Sequence, residues 1–175
     1  MKPALIKFEI IDQPEIVIVG KLIHANDIDM QNGKNNITPF WKKCLKDGTF
    51  NELKDLAEHV YVPALVGYAD INDCNLLQRD FDYICGMMMN PNVPSVPKGF
   101  VKRSLTPVKV AKGRFKRSKG EDAVECWKTA YRCMMIEAEE KGVKLIDNCW
   151  GMEAYSSTIP DNDGNIVVDY YYPCK

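Results

Sequence analysis

Residues 15–21 have the sequence EIVIVGK, and this β-branched run between Pro14 and Gly20 predicts a strand. A second stretch, PVKVAKGRF, begins at Pro107 and predicts another strand. Pro14 lies six residues before Gly20, and Pro107 lies six residues before Gly113. This shared spacing is the first indication that one structural unit occurs twice.

The elements that follow each strand come in the same order in both halves. In each half a helix containing a tryptophan is followed by two strands. The first half has Trp41 and predicted strands at residues 60–68 and 81–89. The second half has Trp127, a helix end at Gly142, and predicted strands at residues 148–156 and 166–172. Tyr68 and Tyr83 are 15 residues apart, and so are Tyr155 and Tyr170. We therefore predict an α+β fold of duplicated β-α-β-β units related by a pseudo-twofold axis. Its antiparallel sheet should carry helices on one face and a central ligand cleft.

The predicted domain covers the whole chain, residues 1–175. The internal repeats span approximately residues 1–90 and 100–175, and the proline-rich stretch 90–99 links them. The S-x-x-E pattern from Ser118 to Glu121 predicts a capping box at the start of the long helix.

The composition excludes several classes of protein. The 175 residues are 46% hydrophobic and 27% charged, with a formal net charge of −1, which argues against disorder, a collagen helix or a coiled coil. The near-neutral charge gives no overall attraction to nucleic acid or to an anionic membrane. The apolar runs are too short to cross a bilayer and no signal peptide is evident, so we expect a cytoplasmic protein.

The seven cysteines do not form a recognisable metal or redox motif. No C-x-x-C occurs, and His24 and His59 are isolated from any cysteine at zinc-ligand spacing. We therefore predict reduced, structural thiols, no metal and no cofactor. A P-loop and a G-x-G-x-x-G motif are also absent from the sequence.

The C-terminal segment carries the candidate chemistry. Glu153 and Tyr155 are two residues apart, so on a strand their side chains lie on the same face. Met152 and Ala154 flank the glutamate, which indicates a largely buried stretch where a carboxylate is costly without a donor or a cation. Such a carboxylate between aromatic side chains suits a flat or apolar cation. The alternative is that Glu153 faces solvent on an edge strand, or pairs with a basic side chain such as Lys144.

In the order of these features the chain resembles the GyrI-like family, whose module is also the effector-binding domain of multidrug-responsive transcription activators. The features are the first strand, Phe40-Trp41, the strand ending at Gly113, the long helix with Trp127, and the Glu153-x-Tyr155 ending. The resemblance implies a duplicated fold with repeats of the SHS2 type and a central pocket whose glutamate receives cationic or polar ligand groups. No helix-turn-helix region precedes the first strand, so we expect a free-standing module without direct DNA binding.

We therefore predict a binding protein for amphipathic cationic or aromatic small molecules. Its predicted ligand-binding residues are Glu153, Tyr155, Trp150, Tyr68 and Tyr171. Tyr68 is included because the repeat places it opposite Tyr155. Tyr171 is included only through the resemblance, since alternation puts Tyr170 and Tyr172 on the opposite face.

Two further functions remain open. Some GyrI-like proteins hydrolyse reactive, cyclopropane-bearing genotoxins, and Glu153 would then be the catalytic general base. Residues 98–119 hold nine Lys or Arg and no acid, which could form a docking face for an anionic partner, including nucleic acid or another protein. We interpret that stretch as the solvated face of a strand. Trp41 and Trp127 are expected in the core.

Overall fold

The structure is a computed structural model that describes residues 3–71, 80–118, 120–147 and 149–175. Three residues that individual predictions include lie outside the described residues: Cys74, one of the seven cysteines, Lys119 of the basic stretch, and Asn148, the first residue of the predicted strand 148–156. The strands are β1 Ala4–Gln13, β2 Ile16–Asn26, β3 Val60–Asp70, β4 Asp80–Met89, β5 Val101–Leu105, β6 Val108–Ser118, β7 Gly151–Tyr155 and β8 Asn165–Pro173. The α-helices are α1 Asp27–Gln31, α2 Ile37–Cys44, α3 Thr49–Lys54 and α4 Ala123–Glu140.

The eight strands of the described residues form one sheet in the order β1-β6-β8-β7-β3-β4-β2-β5. Every neighbouring pair is antiparallel. This arrangement confirms the predicted α+β class with an antiparallel sheet. Strands β1 and β5, at the two edges, were not predicted, because their sequences lack the β-branched runs of β2 and β6.

The continuous apolar run of β2 reflects burial on both faces of the sheet. Ile16 and Ile18 belong to a cluster on one face, and Val17 and Val19 to a cluster on the other, with none more than 1% exposed. A strand covered on both sides has no need for alternating polar residues.

The helices cover one face of the sheet. Helices α2 and α3 pack on β2 and β4, and α4 packs on β6 and β1. Leu65 of β3 pairs with Met87 of β4 and with Tyr155 of β7, so the surfaces under the two groups of helices are continuous. We call this surface the helix face. The opposite face carries its own buried cluster, which includes Tyr68, Trp150 and Tyr171.

The strand order within each half is the same, β2-β4-β3 in one and β6-β8-β7 in the other, and the halves meet where β3 pairs with β7. That these two units are copies related by a twofold axis stays a prediction, as do the proposed domain and repeat boundaries. Tyr68 and Tyr155, which the predicted repeat makes equivalent, do not lie on the same face of the sheet. Tyr68 pairs with Met152 rather than with Tyr155, and the two tyrosines lie on opposite faces.

The start of α4 differs from the predicted capping box. The backbone N–H of Ser118 donates to Glu121 Oε2 (3.2 Å), so only the glutamate half of the box forms, at the end of β6. The helix begins at Ala123, and its N-cap, Asp122, lies four residues after Ser118 and accepts a hydrogen bond from the Glu125 N–H (2.9 Å). Gly142 follows the helix end with φ +73°, as a C-terminal glycine should.

Candidate functional site

A cavity of about 1060 Å³ lies on the helix face, between α2 and α4. Its floor is formed where β3, β4 and β7 are neighbours, and the side chains of Tyr83, Glu153 and Tyr155 line it there. Aromatic residues of α2 and α4, including Trp41 and Trp127, form its walls. The size and the mainly apolar lining with a few polar groups are typical of small-molecule sites.

Glu153 is the acidic group on this floor and is only 7% exposed. The Tyr83 hydroxyl donates to its Oε1 (2.7 Å), and the Tyr155 hydroxyl donates to its Oε2 (2.8 Å). Neither alternative for this residue holds, because β7 is a central strand and no ion pair to Glu153 occurs among the described residues. Two neutral phenols therefore hold the carboxylate, and its charge has no paired cation.

The hydrogen bonds to Glu153 continue into the wall of the cavity. Trp41 Nε1 donates to the Tyr83 hydroxyl oxygen (2.7 Å), which itself donates to Glu153. The Trp41 ring also meets the Tyr155 ring edge-on, with 5.4 Å between centroids. Helix α2 is thus coupled to the carboxylate through a polar and an aromatic contact.

Gly67 gives the carboxylate its space. It lies directly opposite Glu153 in the β3–β7 pair. A Cβ atom at position 67 would overlap the Tyr83 hydroxyl and would lie 2.7 Å from Glu153 Oε1. The absence of a side chain therefore allows the Tyr83 hydroxyl and the carboxylate to meet above β3.

Burial dominates the electrostatics of the floor. It raises the pKa of Glu153, while the hydrogen bonds from Tyr83 and Tyr155 and the charge of Arg117 act in the opposite direction. Burial and the nearby Glu153 charge raise the pKa of both tyrosines well above the ordinary value. The two phenols therefore remain protonated donors at neutral pH.

The wall on the side of α4 is built from edge-to-face aromatic contacts. Tyr172 meets Trp127 at 5.7 Å and Tyr131 at 5.0 Å between ring centroids. Gly151 makes room for this packing, since a Cβ there would lie 2.8 Å from the Tyr172 ring and 2.9 Å from the Trp127 ring. Such rigid aromatic surfaces offer large contact areas to a planar or apolar guest.

The structure brings three of the five predicted site residues to the cavity. Glu153, Tyr155 and Trp150 line it, although the Trp150 ring also packs against Tyr68 at 6.0 Å. Tyr68 and Tyr171 do not line it, and both belong to the cluster on the opposite face. Their predicted position at the pocket is wrong. Whether the three remaining residues bind a ligand stays a prediction.

The register of the strands explains the error. Glu153 pairs with Tyr170, and Met152 pairs with Tyr171, so Tyr171 shares the face of Met152. Tyr172 lines the cavity instead. The resemblance favoured Tyr171. The strand register, which the sequence does not show, instead places its neighbours Tyr170 and Tyr172 on the same face as Glu153.

Several cavity residues were not predicted as site residues. Trp41 and Trp127 pack against buried clusters, as expected, but they also line the cavity, as do Tyr83 and Arg117. The spacing of the tryptophans places them on the apolar faces of their helices, which is correct. Spacing does not show that these faces meet a cavity rather than close packing.

The basic stretch is not a uniformly solvated face. On β6, Arg114 is exposed, whereas Lys112 and Arg117 are partly buried. Most of its charges have acidic partners: Arg114 pairs with Asp169 (2.7 Å), Lys109 with Asp12 (2.9 Å) and Arg103 with Asp70 (2.9 Å). This internal pairing reduces the charge available to an anionic partner.

The part of the chain that the structure describes contains neither a cluster of metal-ligating side chains nor a disulfide. No group of three or more His, Cys, Asp or Glu side chains there could hold a metal ion. Six cysteines are free thiols: Cys44, Cys85, Cys126, Cys133, Cys149 and Cys174. No helix among the described residues is long and apolar enough to span a membrane.

No protein-family model matches this sequence, and neither does any curated protein. Solved structures do match its fold. SAV2435, in a structure bound to tetraphenylphosphonium, is 14% identical with a TM-score of 0.66, over 97% of this chain and 94% of that one. A Staphylococcus aureus MU50 protein assigned to bacterial transcription regulation is 13% identical with a TM-score of 0.65, over 97% and 98% of the two chains.

The EcmrR C-terminal domain is also similar, at 13% identity with a TM-score of 0.56, over 97% of both chains. At these identities the similarity concerns the fold alone. The chain therefore shares the α+β architecture of ligand-bound and regulator-associated proteins, in agreement with the fold that the GyrI-like resemblance implies.

Proposed function

We propose that this protein binds amphipathic cationic or aromatic small molecules in the cavity between α2 and α4, with Glu153 as the electrostatic anchor. The observation that carries the proposal is a buried carboxylate at the floor of a large aromatic cavity, held by two phenols and by no cation. A guest cation would supply the missing countercharge in a region of low dielectric constant.

The surroundings of Glu153 support this proposal. The rings of Trp41, Tyr155, Trp127 and Tyr172 line the same cavity as the carboxylate, and aromatic faces attract cations by about 0.5–2 kcal/mol each. The structure of SAV2435 with tetraphenylphosphonium shows that a protein of this fold binds a lipophilic cation.

Titration of the protein with tetraphenylphosphonium, by calorimetry and by thermal shift, tests the proposal. We expect the cation to bind and to raise the melting temperature, whereas tetraphenylborate, which has a similar shape and the opposite charge, should not. Glu153→Gln should weaken binding of the cation by about tenfold or more, the equivalent of about 1.4 kcal/mol.

Glu139→Gln is a matched control, because that glutamate is exposed on α4 and its loss should leave binding unchanged. Equal binding by wild type and Glu153→Gln would contradict the role of Glu153 as anchor. Equal binding of the two ions would contradict the preference for cations.

Hydrolysis of a reactive electrophile, such as a cyclopropane-bearing genotoxin, is the second candidate function. The raised pKa of Glu153, caused mainly by burial, supports it, because a general base works best when its pKa is near the working pH. Mass spectrometry after incubation with such an electrophile distinguishes the two functions. A water adduct formed over many turnovers supports catalysis, whereas recovery of the unchanged compound supports binding alone.

A further inference from the structure

The cavity lining contains basic side chains, Arg117, Lys128 and Arg132, as well as acidic ones, and Arg117 is the basic residue nearest the floor tyrosine Tyr155. Arg117 belongs to β6, and its guanidinium carbon lies 5.9 Å from the centroid of the Tyr155 ring. Arg117 Nη1 is buried without a hydrogen-bond partner, and no ion pair to this side chain occurs among the described residues. Tyr155 therefore has Glu153 at its hydroxyl and a cationic guanidinium near its ring.

A second donor without a partner lies on the neighbouring strand. Tyr172 of β8 lines the cavity and is 5% exposed, and its hydroxyl is buried without a hydrogen-bond partner. The hydroxyl of Tyr170 is also buried without a well-formed hydrogen bond, and it lies close to Arg117, which partly offsets the rise that burial causes in the pKa of this phenol. Strands β6 and β8 thus supply unsatisfied polar groups, whereas the carboxylate on β7 already has two donors. Buried donors of this kind are normally satisfied in a complete structure, by protein, water or ligand.

We infer that the ligand carries an acceptor oxygen, most favourably a carboxylate, in addition to its cationic part. This inference rests on the proposed function, with the cationic part at Glu153 and the acceptor at the guanidinium of Arg117. A zwitterionic aromatic compound satisfies both charged groups, which lie on either side of Tyr155. A purely cationic compound leaves Arg117 without an acceptor and is repelled by its charge.

Two dyes that differ in one group provide the probe. Rhodamine 110 has a free carboxylate beside its cationic xanthylium system, and rhodamine 123 is the methyl ester of the same dye. Fluorescence anisotropy gives the dissociation constant of each. We expect wild type to bind rhodamine 110 about tenfold more tightly, the size of one charge-assisted hydrogen bond.

Arg117→Met, which removes the charge and keeps the apolar stem, should abolish this preference by weakening rhodamine 110 binding and leaving or improving rhodamine 123 binding. Arg114→Met is the matched control. Arg114 lies on the same strand, is exposed and pairs with Asp169 outside the cavity lining, so the preference should persist. Arg117→Lys serves as a second variant, since it keeps the charge if the methionine variant fails to fold.

The results separate this inference from the proposed function. Binding of both dyes that depends on Glu153, without a preference between them in wild type, would overturn the acceptor inference alone. Binding of neither dye, or binding that Glu153→Gln leaves unchanged, would overturn the proposed function. A preference for rhodamine 110 that Arg117→Met does not reduce would also overturn the assignment to Arg117.

Discussion

The substitution Gly67→Ala tests the geometry of the floor most directly. The new Cβ would overlap the Tyr83 hydroxyl and lie 2.8 Å from Tyr83 Cζ and 2.7 Å from Glu153 Oε1. Tyr83 would have to move, and its hydrogen bond to Glu153 would lengthen or break. Overpacking of this kind typically costs about 1–3 kcal/mol, which in a chain of this length corresponds to a fall in melting temperature of roughly 3–10 °C.

A double-mutant cycle with Tyr83→Phe identifies the cause. Alone, Tyr83→Phe removes a donor to Glu153 and the acceptor of Trp41, at a cost of about 1.5–3 kcal/mol. Combined with Gly67→Ala it also removes the overlapping oxygen. The double variant should therefore be more stable than the sum of the single effects predicts, by about 1–2 kcal/mol.

Chemical denaturation of the four proteins measures this coupling. Gly99→Ala is the control, because Gly99 has φ +88° and open space around its Cβ position. Its cost, about 1–2 kcal/mol from the left-handed backbone, should add independently to that of Tyr83→Phe. If the Gly67 and Tyr83 effects were additive to within about 0.5 kcal/mol, the reasoning about the shared space above β3 would be refuted.

Three further predictions concern the same cavity. The folded-state pKa of Glu153 is raised from 4.5, so the stability that this group contributes to the unliganded wild type should be complete below pH 4.5 and be lost as the pH rises through the folded value. Glu153→Gln should lack this loss, so thermal melts across pH should show the variant gaining relative to wild type towards neutral pH. Parallel curves would contradict the burial of an ionisable group. Trp41→Phe removes the hydrogen-bond donor to the Tyr83 hydroxyl. Relative to wild type, the variant should have a free energy of unfolding lower by about 1–2 kcal/mol and should bind tetraphenylphosphonium more weakly. An unchanged affinity would show that α2 does not support the cavity floor. Tyr171→Phe should leave the affinity for tetraphenylphosphonium within about twofold of wild type, and a large loss would contradict the position of Tyr171 on the opposite face. Tyr172→Phe removes a buried hydroxyl without a hydrogen-bond partner and should not lower the melting temperature.

Local patterns in the sequence were sufficient for the main elements of the fold. The strands β2, β3, β4, β6, β7 and β8 and the long helix α4 all overlap predicted segments, because each has its own apolar periodicity or bounding glycine and proline residues. Strands β1 and β5 were missed, since edge strands bury less surface and carry mixed polar sequences. The spacing of Glu153 and Tyr155 correctly predicted that both side chains lie on one face of a buried strand.

The sequence could not show which residues surround Glu153. Gly67 and Tyr83 lie 86 and 70 positions before it, and they meet it only because β3 pairs with β7 in one register and with β4 in another. A shift of either register by one residue would move Tyr83 or Gly67 away from the carboxylate and exchange the two faces. The misplacement of Tyr68 and Tyr171 has the same origin.

The sequence by itself determined that Glu153 lies on a buried strand of an antiparallel α+β protein, because strand periodicity and apolar flanking residues act over a few residues. Only the tertiary structure decided that the Glu153 side chain lines a cavity, that Trp41 and Trp127 form the walls of this cavity, and that Arg117 also lines it. These outcomes depend on how β-strands register and how helices dock across long chain separations, where free energies are summed over many contacts that no local pattern records.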